Sequence, residues 1–80
     1  MNSENSYDQY LDARNLSCPL PLLKAKQHLN QLSSGQVLFI QTTDPGSWND
    51  FASYAKLSKH TLLSREKSDH HFHFLLQKGD

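Results

Sequence analysis

"LDARNLSCPLPLLKAKQHL", Leu11 to Leu29, changes its period partway through. Up to Arg14 the chain alternates, with Leu11 and Ala13 on one side and Tyr10 and Asp12 on the other, as in a half-buried strand. From Leu22 onward the apolar residues Leu22, Ala25, Leu29 and Leu32 recur every three or four positions and form one helical stripe. The switch falls at Asn15 to Pro21. Asn15 tolerates a left-handed backbone at little cost, and Pro19 suits a first helical position because its missing N–H would have no partner there. A strand over 7–14 and a helix from near Cys18 to about Leu32 are therefore predicted, with Lys24, Lys26 and Gln27 facing water.

The rest of the chain follows the same alternation of elements. Ser33-Ser34-Gly35 stops the helix, Gly35 being free to take a positive φ. Val37 to Ile40 reads as a buried central strand. Asp44-Pro45-Gly46 breaks the chain, and Ser47 followed by Asp50 resembles a capping box opening a second helix, Trp48 to about Ser58. Trp48, Phe51, Ala52 and Ala55 form its inner face. Two extended runs, Thr61 to Lys67 and His70 to Gln77, are joined by Ser68-Asp69 as a hairpin. In the second run Phe72, Phe74 and Leu76 share one face, and His71, His73 and Leu75 the other. The order is βαβαββ. It predicts an α/β fold, a two-layer α/β sandwich whose mixed four-stranded sheet carries both helices on one face, the first crossover being parallel and right-handed.

Composition narrows the function. The chain has 80 residues, 36% of them apolar, enough for one small core over 7–80 and too few for two. Residues 1–6 are polar and read as a flexible N-terminus. Eight basic and eight acidic residues cancel, so the electrostatic footprint of direct nucleic-acid binding is missing. No run approaches the roughly 20 apolar residues of a membrane span, and the polar start lacks the features of a secretory signal. A cytoplasmic location is expected.

Cys18 is the one cysteine in the sequence, so neither an internal disulfide nor a C-x-x-C dithiol or zinc pair is available. A free cysteine commonly acts as a small buried hydrophobe. A thiol at a helix start instead faces unpaired N–H groups and the positive end of the helix dipole. Such a placement can lower a cysteine pKa from about 8.5 by a unit or more. Pro19 biases Cys18 away from the α region and Pro21 loses only an N–H the first turn does not use, so both prolines stiffen the entry. They also remove donors, which weakens the help of the dipole.

This stretch resembles the opening signature of the TusA/SirA-like sulfur-carrier family, Leu-Asp-x-Arg-Gly-Leu-x-Cys-Pro-x-Pro, through Leu11, Asp12, Arg14, Leu16, Cys18, Pro19 and Pro21. Asp44, Pro45 and Asp50 fit further positions common in the family, and the resemblance runs from about Tyr10 to Gln77. Asn15 stands where the family usually has Gly, and His60 is all that remains of a Gly-His pair often found before the third strand. The resemblance implies that Cys18 accepts a sulfane sulfur as a persulfide from a cysteine desulfurase or rhodanese-type donor. It then hands that sulfur to an acceptor protein in tRNA thiolation or another sulfur pathway. Such a protein is a sulfurtransferase component, not a stand-alone enzyme. Asn15, Pro19 and Pro21 shape the turn. Arg14 is a candidate to shield the anionic sulfur or meet a partner, and Lys24 and Lys26 are candidates for a docking surface.

Two other classes compete. One is a regulatory or protein-interaction module of the same fold that binds partners through this face without sulfur chemistry. The other is a metal-binding domain using His60, His70, His71 and His73, since two histidines on one strand face can chelate. Neither a metal nor a cofactor is expected.

Overall fold

The computed structural model describes residues 7–80, so the flexible start expected over 1–6 lies outside the described residues. Six elements follow in the order βαβαββ: β1 (Gln9–Ala13), α1 (Leu20–Gln31), β2 (Val37–Thr42), α2 (Ser47–Leu57), β3 (Thr61–Ser68) and β4 (His71–Gln77). The sheet runs β1-β2-β4-β3. β1 and β2 are parallel, as a helical crossover requires, whereas β4 is antiparallel to both β2 and β3.

Alternation along the strands divides the sheet into a core face and an open face. Leu11 and Ala13 of β1, Leu38 and Ile40 of β2, and Phe72, Phe74 and Leu76 of β4 are buried, together with Ala25 and Leu29 of α1 and Phe51 of α2. Phe51 stacks on Phe74 with ring centroids 4.6 Å apart, which locks α2 to the centre of the sheet. Pro21 is buried too, so it fills the α1 contact as well as stiffening the first turn. Trp48 is only partly buried. It meets Phe72 and Phe74 on one side, while the Arg65 guanidinium lies over its ring at 4.2 Å and donates to its carbonyl oxygen.

The open face is more aromatic than the polar strand positions predict. Tyr7 and Tyr10 pack on Phe39, and His73 meets the Phe39 ring edge-on at 5.7 Å. The Tyr10 hydroxyl donates to Gln41 Oε1, and the Gln41 amide donates to His73 Nε2 at 3.0 Å. One ring nitrogen of His73 is thereby used.

Several boundaries differ from the sequence reading. The first helix starts at Leu20, with Pro19 as its N-cap (φ −99°, ψ 15°) and Pro21 within the first turn, so Pro19 is not the first helical residue. The Cys18–Pro19 peptide is cis. α1 closes on an extended Leu32, and Gly35, at φ 89°, turns the chain into β2 instead of ending the helix. β3 continues through Ser68, which moves the hairpin turn to Asp69-His70, and its pairing with β4 slips at Leu62/Ser64, a bulge that periodicity does not reveal.

The proposed capping box is absent. Gly46 is the N-cap of α2, without a side-chain capping bond. The Ser47 hydroxyl is buried and donates to the Asp44 carbonyl oxygen at 2.6 Å, so the bond it shares with Thr42 at 2.5 Å takes its proton from Thr42 Oγ1. Asp50 is then free of the helix terminus and turns elsewhere.

Candidate functional site

The parallel pairing of β1 with β2 sets Ala13 opposite Thr42, so the chain leaves both strands at the same edge of the sheet. The loop after β1 carries Asn15 to Pro19, and the loop after β2 leads through Asp44, Pro45 and Gly46 into α2. The two are tied by the Asn15 N–H, which donates to Thr43 Oγ1 at 2.9 Å. Asn15 has φ 67°, the left-handed conformation expected of it. Because β4 runs antiparallel to β2, the Asp69-His70 turn comes to this edge as well. An open groove of about 500 Å³ lies there, lined by Asn15, Thr43, Pro45, Lys67, Asp69, His70 and Phe72.

Cys18 is exposed on the first loop. Its Sγ lies 3.1 Å from Asp50 Oδ2, and since a carboxylate only accepts, the thiol donates. This hydrogen bond raises the thiol pKa above its ordinary value, helped by partial desolvation and by the negative charges of Asp50 and Asp44. A helix start can lower a thiol pKa, but here the direction is the opposite. The reason lies in the donors: Pro19 and Pro21 have no N–H, Leu20 N–H donates to the Ser17 carbonyl, and Leu23 N–H to that of Pro19. The helix entry offers the sulfur little, and a carboxylate faces it instead.

Arg14 is engaged by Asp12. Its guanidinium grips Asp12 through two bonds, Nε to Oδ1 at 2.8 Å and a terminal nitrogen to Oδ2 at 2.9 Å, and its own N–H also donates to Oδ1. Those hydrogen bonds hold the Asp12 carboxyl down to about 2. Lys24 is exposed on α1, while the Lys26 ammonium sits 5.1 Å over the Tyr54 ring and joins α1 to α2. The Cys18 thiol thus has Asp50 as its partner, whereas Arg14 is engaged by Asp12 and Lys26 by Tyr54.

The residue that sequence reasoning put in the wrong role is Asp50. Its spacing from Ser47 suggested a helix cap, whereas its carboxylate accepts from the Cys18 thiol. The histidines do not converge. His60 Nδ1 accepts from the Gly79 N–H, His73 is held by Gln41, and His70 is at the hairpin turn. Among the described residues no three His, Cys, Asp or Glu side chains stand close enough to hold a metal ion.

Residues 9–78 match the family model described as sulfurtransferase TusA. The sulfur carrier protein TusA of Allochromatium vinosum is 50% identical over 73 residues, 91% of this chain and 96% of that one. YrkI of Bacillus subtilis is 39% identical over 72 residues, 90% of this chain and 96% of the relative. YrkF of the same organism is 39% identical over 69 residues, 86% of this chain, but those residues make up only 37% of its own length.

Proposed function

Because this chain belongs to the TusA sulfurtransferase family, we propose that it is a sulfur carrier whose Cys18 takes a sulfane sulfur from a cysteine desulfurase or rhodanese-type donor and relays it as a persulfide to an acceptor protein. tRNA thiolation is one pathway such a relay serves. The observation that carries the reading is the lone thiol, exposed on a short loop at the sheet edge where a partner's reactive cysteine can reach it. Sulfur exchange is attack on a bound sulfur atom, and its rate depends on access and on thiolate fraction.

Absence of a second cysteine supports a carrier over a reductase. A persulfide on Cys18 has no thiol in the same chain to discharge it as a disulfide, so the sulfur leaves only to another molecule. A single unpaired thiol also suits a reducing compartment such as the cytosol. Net charge of zero gives no electrostatic term for direct RNA binding, so transfer to an acceptor protein fits better than transfer to nucleic acid. Asn15, Pro19 and Pro21 hold the loop. Lys24 and the exposed part of Arg14 are the remaining candidates for partner contact, since the Lys26 ammonium is engaged by Tyr54.

Radiolabelled cysteine and a cysteine desulfurase test this directly. Label retained by the native chain on a non-reducing gel, released by dithiothreitol and absent from Cys18→Ser, is the expected result. Equal labelling of Cys18→Ser would overturn the assignment.

A further inference from the structure

The first charged group the Cys18 sulfur meets is acidic. Asp50 Oδ2 accepts its proton at 3.1 Å, and the Asp44 carboxylate adds a second negative charge from the loop before α2. Gly46 makes room for this pair: a Cβ there would meet Asp44 Oδ2 at 2.9 Å and Asp50 Oδ2 at 3.9 Å. Asp44 Oδ2 is buried without a hydrogen-bond partner among the described residues. The cation nearest in sequence, Arg14, is committed to Asp12. The charged groups acting on the thiol are therefore Asp50 of α2 and Asp44 of the preceding loop, both acidic.

We propose that Asp50 is a latch on the sulfur-carrying residue: in the unpartnered protein it holds Cys18 as a hydrogen-bonded thiol, and transfer begins when a donor protein brings a cationic side chain that takes over the carboxylate. This rests on the carrier reading and adds a regulatory step to it. The transfer itself balances without an oxidant. The Cys18 sulfur attacks the outer sulfur of the donor's persulfide, forming a new S–S bond. The bond between that outer sulfur and the donor's cysteine sulfur breaks, its electron pair stays on the donor cysteine, and the proton given up by Cys18 ends on that thiolate. One sulfane sulfur moves and two thiol-level groups exchange roles.

Only the thiolate attacks, so a thiol held by Asp50 reacts slowly with stray disulfides and oxidants. Once loaded, the outer sulfur stands about 2 Å beyond the Cys18 sulfur, one S–S bond length. It is anionic near neutral pH, and repulsion by Asp50 and Asp44 turns it outward toward an acceptor. The carboxylate pair thus protects the empty carrier and presents the filled one.

The test is the pH dependence of Cys18 alkylation by iodoacetamide, a neutral reagent, in the native chain, Asp50→Asn and Asp50→Glu, with circular dichroism as the check on folding. Asp50→Asn removes the negative charge while keeping the shape. Its midpoint is expected to move acidward by about one unit, giving about tenfold faster alkylation near neutral pH, whereas Asp50→Glu stays close to native. Should Asp50→Asn fold poorly, Asp44→Asn gives a smaller shift in the same direction. A midpoint unmoved or moved alkaline in the folded variant overturns the latch. Alkylation needs no sulfur donor, so this outcome is separate from any failure of the chain to accept sulfur.

Discussion

Ser47 decides where the thiol's partner stands. Its hydroxyl, 2% exposed, receives the Thr42 proton and passes its own to the Asp44 carbonyl oxygen, fixing the start of α2 against the end of β2. Ser47→Ala strands the Thr42 hydroxyl, which is fully buried, and is expected to cost about 1–3 kcal/mol. The double variant Thr42→Val with Ser47→Ala removes both polar groups and recovers most of that loss. Urea unfolding midpoints of the three variants check this, and equal losses in single and double variants would contradict it. At this scale the sequence exposed Cys18 and the left-handed Asn15, because both depend on local backbone and composition. It did not expose the Cys18–Asp50 contact. That bond spans 32 residues and exists only because two loops leave parallel strands at one edge.

Among the elements, α1 shows how prolines change a helix start. A conventional first turn offers free N–H groups to an anion, yet here two of the positions are prolines and Leu20 and Leu23 donate to backbone oxygens. The strand and helix order was legible because period two and period 3.6 alternate cleanly along the chain. The bulge in β3 and the shifted hairpin turn were not, since they depend on pairing with β4. The chain just after the last strand is also held by a histidine. His60 Nδ1 accepts from the Gly79 N–H, and desolvation together with Lys78 and Lys59 pushes its pKa below the ordinary value.

A depressed histidine pKa favours the neutral form in the folded state. Its contribution is therefore complete above the unfolded value of about 6.5 and is lost as pH falls through the lower folded value. Native protein is expected to lose stability between about pH 7 and about pH 5 to a greater degree than His60→Gln, measured by urea unfolding at each pH. Parallel losses in the two would show that His60 takes no part. Gly79 itself is confined by the same packing, since a Cβ there would fall 1.9 Å from the Lys59 carbonyl oxygen.

For the molecule as a whole, a one-sided sheet makes the core the rigid back of the site. Phe51 joins α2 to β4 on that core and stands one residue after Asp50, so the contact that seats the helix also seats the carboxylate. Phe51→Ala is expected to cost about 3–5 kcal/mol, a large share of the stability of so small a fold, and thermal denaturation followed by circular dichroism reads it. A change within about 0.5 kcal/mol would mean that the stack does not hold the two layers together. The two-layer topology was readable in advance because apolar alternation faces every element toward a single core. What it could not reveal was the sign of the field at the sulfur, which depends on carboxylates converging in three dimensions.

The central claim is that Cys18 carries sulfur, and intact-protein mass spectrometry after incubation with a cysteine desulfurase and free cysteine tests it most directly. The native chain should gain the mass of one sulfur atom, lost again on reduction, and Cys18→Ser should gain nothing. A native chain left unchanged by a desulfurase and a rhodanese-type donor alike, or a Cys18→Ser variant that gains the same mass, would contradict the account.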